Sequence, residues 1–168
     1  MYLFNAIDEF GTYHSKITEP TIKITQMNSF CDTIVSVLTV VTYTKGVPTD
    51  FFYLFDKVSY FLLKYKEEIS IGCWTEICHQ LLRKCPFNRN EDLLFVYRQL
   101  VDKKFNSLTG AHLPKMAFIL SRSQFPFEEI TFRSVLQSNL IRRSNSFEIG
   151  SLIPSLARSR FRNFDLIH

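Results

Sequence analysis

A chain of 168 residues with 46% hydrophobic and 15% aromatic residues, 17 of them Phe, can bury the core of one domain and is too apolar for disorder over most of its length. Its 5 Gly and 6 Pro are too few for the many tight turns of an all-β architecture. The net charge of +4 is unevenly placed: residues 1–132 carry 14 basic and 14 acidic side chains, so the excess sits in Arg133, Arg142, Arg143, Arg158, Arg160 and Arg162 against Glu148 and Asp165.

The segment 1–25 opens with a short apolar piece, Leu3, Phe4, Ile7 and Phe10, expected to end at Gly11 and to be followed by a polar stretch with Pro20. Its first residues lack a basic region and are interrupted by Asp8 and Glu9, so no signal peptide or mitochondrial presequence is expected. A helix is predicted over 26–44, with Met27, Phe30, Ile34, Val37, Leu38 and Val41 on one stripe. The longest apolar run, 34–41, is interrupted by Ser36 and Thr39 and falls short of a membrane span.

Residues 51, 54, 55, 58, 61, 62 and 65 repeat at the three-then-four spacing of a buried helical face, which predicts a helix over 50–66 capped by Thr49 and Asp50. Ile69, Ser70, Ile71 and Gly72 interrupt the pattern. A helix over 73–84 then turns Trp74, Ile77, Leu81 and Leu82 inward and ends at Cys85-Pro86. Asn90, Glu91 and Asp92 signal the start of a helix over 91–105, with Leu93, Leu94, Val96, Tyr97, Leu100 and Val101 apolar. A shorter helix carries Met116, Ala117, Ile119 and Leu120 to about Ser123, and another is expected over 127–142. Within 144–168, Gly150, Pro154 and five Ser argue against a continuous helix and for a flexible basic segment. The expected organisation is a short N-terminal helix and loop (1–25), a helical-hairpin domain (26–143) and this C-terminal segment (144–168).

Three of the predicted breaks contain proline: Gly46-Val47-Pro48, Lys84-Cys85-Pro86 and Gln124-Phe125-Pro126. Hairpins recurring at such intervals are the sequence mark of an α-solenoid, because one hairpin cannot bury its own apolar face; a non-repetitive helical bundle also fits. The stretch Gln124-Phe125-Pro126-Phe127-Glu128-Glu129-Ile130-Thr131-Phe132-Arg133 resembles the opening of a pentatricopeptide repeat. Gly46-Val47-Pro48-Thr49-Asp50 is similar to that repeat's end, and tetratricopeptide or HEAT-like hairpins fit the remainder. The resemblance implies an all-α fold of stacked antiparallel hairpins and, as one possible activity, RNA binding. The position such repeats use to read a base would fall near Arg133, where the family usually carries Asn, Ser or Thr. The start at Met1 falls inside an apolar pattern, which fits a fragment or short isoform of a larger repeat protein.

No residue pattern specifies catalysis or a cofactor. Cys73-x4-Cys78-His79-x5-Cys85 is the nearest approach to a metal set, but residues five apart on a helix point about 500° apart, so no metal site is assigned. The cysteines (31, 73, 78 and 85) are expected to be reduced and structural, which fits a cytoplasmic or nuclear protein. Gly-x-Gly phosphate loops do not occur. The pairs Glu91-Asp92 and Glu128-Glu129 sit at predicted helix starts, and His14, His112 and His168 fall in loops or at the end of the chain. Trp74, Phe51, Phe55, Phe61, Tyr97 and Phe105 form either a core or an aromatic groove. Arg133, Arg142, Arg143, Arg158, Arg160 and Arg162 are candidate contacts to RNA or to an acidic partner. Ser146, with Arg142 and Arg143 upstream, is a candidate phosphorylation site. The expected function is a non-enzymatic protein–protein interaction scaffold without cofactor or membrane association, the alternative being an RNA-binding helical repeat.

Overall fold

Among the residues that the structure, a computed structural model, describes (2–43, 50–84, 91–121 and 144–158), all regular structure is helical and no strand occurs. The chain divides into two compact units, Met1–Arg89 and Asn90–His168. The three proline-containing breaks, the pentatricopeptide-like stretch and the helix expected over 127–142 lie wholly or mainly outside the described residues.

The first unit contains α1 (Tyr2–His14), α2 (Pro20–Tyr43), α3 (Phe51–Lys64) and α4 (Ile71–Lys84). Helix α1 does not stop at Gly11 as expected from sequence; it runs through it to His14. The Tyr65 hydroxyl passes close over this glycine: a Cβ at position 11 would lie 3.0 Å from Tyr65 Oη. Helix α2 begins at Pro20, six residues before the predicted start, because proline at the first helical position loses no hydrogen bond.

Apolar burial against α4 holds α2 in place. Its buried residues are Met27, Cys31, Ile34, Leu38 and Thr42, whereas Phe30, Val37 and Val41 of the predicted stripe are only half-buried. Along the exposed side, the hydroxyls of Thr25, Thr33, Ser36 and Thr39 donate to the carbonyls of Thr21, Ser29, Asp32 and Val35 at 2.7–3.0 Å. By length and composition α2 is also apolar enough to cross a bilayer, its best 18-residue window having a mean hydropathy of 1.3. Residues 34–41, the longest apolar run, do not announce this, because the window includes Thr and Ser that interrupt a strict run.

Helix α3 follows its predicted face closely, with Phe51, Leu54, Phe55, Val58, Phe61 and Leu62 buried. Asp50 is its N-cap residue, but its side chain makes no capping hydrogen bond, contrary to expectation. Ser70 caps α4 instead of merely breaking the chain: its Oγ accepts from the Cys73 amide at 3.1 Å and its carbonyl from the Trp74 amide at 3.0 Å. Phe55, Val58, Leu62, Trp74 and Leu81, all predicted core residues, are at most 1% exposed. A ring cluster ties three helices together. Phe10 of α1 stacks on Phe30 of α2 with centroids 4.1 Å apart, and Phe61 of α3 meets both edge-on at 6.0 and 5.4 Å.

The second unit contains α5 (Glu91–Lys104), 3-10 turns at Phe105–Ser107 and Gly110–His112, α6 (Leu113–Ser121) and α7 (Ser146–Arg158). Leu93, Leu94, Tyr97, Leu100 and Val101 are the buried face of α5. Helix α6 buries Leu113, Met116, Ala117, Ile119 and Leu120, and packs on α7.

Helix α7 corrects the expectation from sequence, which has no continuous helix there. Asn145 and Glu148 form reciprocal caps at 2.9 Å, Asn145 Oδ1 accepting from the Glu148 amide and Glu148 Oε2 from the Asn145 amide. Pro154 removes the hydrogen bond that would return to Gly150, and a proline ring crowds the carbonyl four residues back. Asn145→Ala should lower stability by about 1 kcal/mol, read from the midpoint of urea unfolding; an unchanged midpoint would show that α7 does not depend on this cap.

Candidate functional site

Three of the polar contacts of the first unit are strung along α2, and a fourth, Lys57–Asp8, joins α3 to α1. At the N-terminal end of α2, Lys23 Nζ lies 3.1 Å from Glu68 Oε2, and the same oxygen is 2.8 Å from His14 Nε2. The sequence suggests a loop position for His14; it is the last residue of α1, buried, with its ring stacked on Phe10 at 4.9 Å and edge-on to Tyr65 at 5.6 Å.

Burial acts to raise the Glu68 pKa, but hydrogen bonds from His14 and Lys23 outweigh it, and the net shift is downward from 4.5. A carboxylate with a depressed folded pKa adds stability above its unfolded pKa, and that contribution is lost as pH falls through the folded value. Wild type should therefore melt above Glu68→Gln at neutral pH, and the gap should close below about pH 4.5. Melting temperatures measured across pH decide this, and a gap that stays constant in acid would remove ionisation of Glu68 as its source.

Half-way along α2, Cys31 faces Cys73 of α4. Cys73 Sγ lies 3.9 Å from Oδ1 of Asn28, one turn before Cys31. Near the C-terminal end, buried Thr42 Oγ1 lies 2.9 Å from the Thr39 carbonyl and 3.1 Å from Gln80 Oε1, its one hydrogen shared between them. These three contacts join residues far apart in sequence, so no local motif announces them.

Of the residues singled out from sequence, Cys73 and Cys78 part company: Cys73 is half-buried against α2, while Cys78 is wholly enclosed, and burial alone drives its thiol pKa up. Cys85 lies outside the described residues. No group of three or more His, Cys, Asp or Glu gathers as a metal set among the described residues. His112 is in the Gly110–His112 turn, where its Nδ1 accepts from the Thr109 amide at 3.1 Å. The aromatic set resolves as core rather than groove for Trp74, Phe51, Phe55, Phe61 and Tyr97, and Phe105 is half-buried.

Ser146 is exposed at the first position of α7, and Arg158 is the last residue of that helix. Arg133, Arg142, Arg143, Arg160 and Arg162 lie outside the described residues. No family model, curated protein or solved structure matches this chain.

Proposed function

We propose that this protein is a non-enzymatic interaction module whose helices pack as antiparallel hairpins and present a helical face to another protein. The observation that supports it is the outer face of α3. Tyr53 and Tyr60, two turns apart and therefore on one side of the helix, are 57% and 64% exposed. Between them lies Lys57, whose Nζ contacts both carboxylate oxygens of Asp8 on α1 at 2.8 Å. Hydrogen bonding to Asp8 raises the Lys57 pKa, so a held, net-neutral ion pair lies beside the two phenols. Tyrosine brings large contact area at low conformational cost and a hydroxyl for the partner, which is why it is enriched where proteins meet.

The test is affinity capture from cell extract with wild type and the double variant Tyr53→Ala/Tyr60→Ala, each with and without ribonuclease. The expected result is a protein recovered by wild type in both conditions and lost by the variant, with circular dichroism of the two unchanged. A partner retained by the variant would take the function away from this face. Loss of all partners on ribonuclease treatment would turn the assignment to RNA.

A further inference from the structure

We infer that Cys31 and Cys73 are a reversible redox pair, in which a hydroperoxide oxidises Cys73 and Cys31 resolves the product into a disulfide joining α2 to α4. Cys31 lies on the buried face of α2, and α2 packs on α4, the helix that carries Cys73. Asn28, one turn before Cys31, places its side-chain oxygen 3.9 Å from Cys73 Sγ, which fixes the sulfur against the Cys31 face of α2. Bond formation asks the sulfurs to close to about 2.05 Å.

The two members differ in access. Cys31 is 0% exposed, whereas Cys73 is half-buried, so a solvent-borne oxidant meets Cys73 first. They also differ in chemistry. Cys73 lies in the capped first turn of α4, near the positive end of the helix dipole. The hydrogen bond from Cys31 lowers its pKa most; burial opposes, the Ser70 hydroxyl lowers it further, and Asp32 and Glu76 oppose, leaving it at about 7. The same contact, followed by burial and by the charges of Cys73 and Asp32, pushes the Cys31 thiol up. One sulfur is thus the nucleophile and the other a protonated reserve beside it.

The chemistry balances with hydrogen peroxide as the oxidant. The Cys73 thiolate attacks one peroxide oxygen, the O–O bond breaks, and the departing hydroxide takes up a proton and leaves as water. Cys73 is then a sulfenic acid. The Cys31 sulfur attacks the Cys73 sulfur, the S–O bond breaks as the S–S bond forms, and the leaving hydroxide carries off the Cys31 proton as a second water. Two thiols are oxidised to one disulfide and one peroxide is reduced to two waters. A small-molecule thiol reverses the change by exchange.

The experiment treats the full chain with hydrogen peroxide, alkylates the remaining thiols and maps peptides by mass spectrometry without reduction. A peptide joined through Cys31 and Cys73, absent after reductant, is expected. In Cys31→Ser the disulfide should vanish and Cys73 should instead be trapped as its dimedone adduct; in Cys73→Ser neither product should form. At pH 7 iodoacetamide should alkylate Cys73 at least about tenfold faster than Cys78. Joining of Cys73 to Cys85 or to a second chain, or equal alkylation of Cys73 and Cys78, would overturn the assignment. The wild-type peptide map distinguishes these outcomes even where a variant fails to fold.

Discussion

Trp74→Ala should lower the unfolding free energy by about 3–5 kcal/mol, the range for removing a large aromatic side chain from a packed interior. Trp74 is 0% exposed in α4, in a helix whose Ile71, Ile77, Cys78, Leu81 and Leu82 are buried with it. Truncation leaves a cavity that rigid neighbouring helices fill only in part. The indole contributes a second effect: its Nε1–H is buried and finds no acceptor among the described residues. An unmade hydrogen bond of this kind costs about 1–3 kcal/mol in the wild type. Trp74→Phe removes that donor while keeping much of the apolar volume, so it should cost less than half as much as Trp74→Ala. Urea unfolding followed by far-UV circular dichroism measures both. A loss under about 1 kcal/mol for Trp74→Ala would contradict the burial, and equal losses for Ala and Phe would contradict the role of the orphaned N–H.

Phe61→Ala should cost a similar amount, about 3–5 kcal/mol, for a different reason. Its ring meets rings from two other helices and one beyond its own C-terminus: Phe10 at 6.0 Å, Phe30 at 5.4 Å and Tyr65 at 5.2 Å. Edge-to-face pairs add about 0.5–1.5 kcal/mol each beyond area burial. Phe61→Leu retains the apolar contact and loses the ring geometry, so the interval between Leu and Ala isolates burial, and that between Phe and Leu isolates the aromatic part. Trp74 is the one tryptophan of the chain and reports the transition by fluorescence. If Leu and Phe prove equally stable, the rings hold the three helices by area alone.

The buried face of α3 is legible from sequence because bulky apolar residues at three-four spacing occupy every buried position. On α2 the predicted stripe is right at Met27, Ile34 and Leu38 and one residue off at Phe30 and Val41. Cys31 and Thr42 are small and weakly apolar, yet fully or nearly enclosed, while the larger Phe30 and Val41 lie at the margin. Size and hydropathy alone do not say which neighbour the helix meets. Helix α7 is hidden when Gly150 and Pro154 are read as breakers, whereas the reciprocal caps of Asn145 and Glu148 open a helix that runs through both. The contacts His14–Glu68 and Cys31–Cys73 are invisible because each joins separate segments of the chain, and a single sequence holds no record of which helices touch.

The hydroxyls along α2 bear on what its outer side offers to its surroundings. Thr25, Thr33, Ser36 and Thr39 each direct their hydrogen at a carbonyl one turn back. With its hydroxyl turned to the backbone, a threonine offers its methyl group to whatever lies outside. Residue by residue that face spells alcohol, but much of its outer layer is hydrocarbon with its hydrogen-bond donors already engaged. These four side chains therefore meet their surroundings as acceptors only, their hydroxyl hydrogens being engaged within the helix.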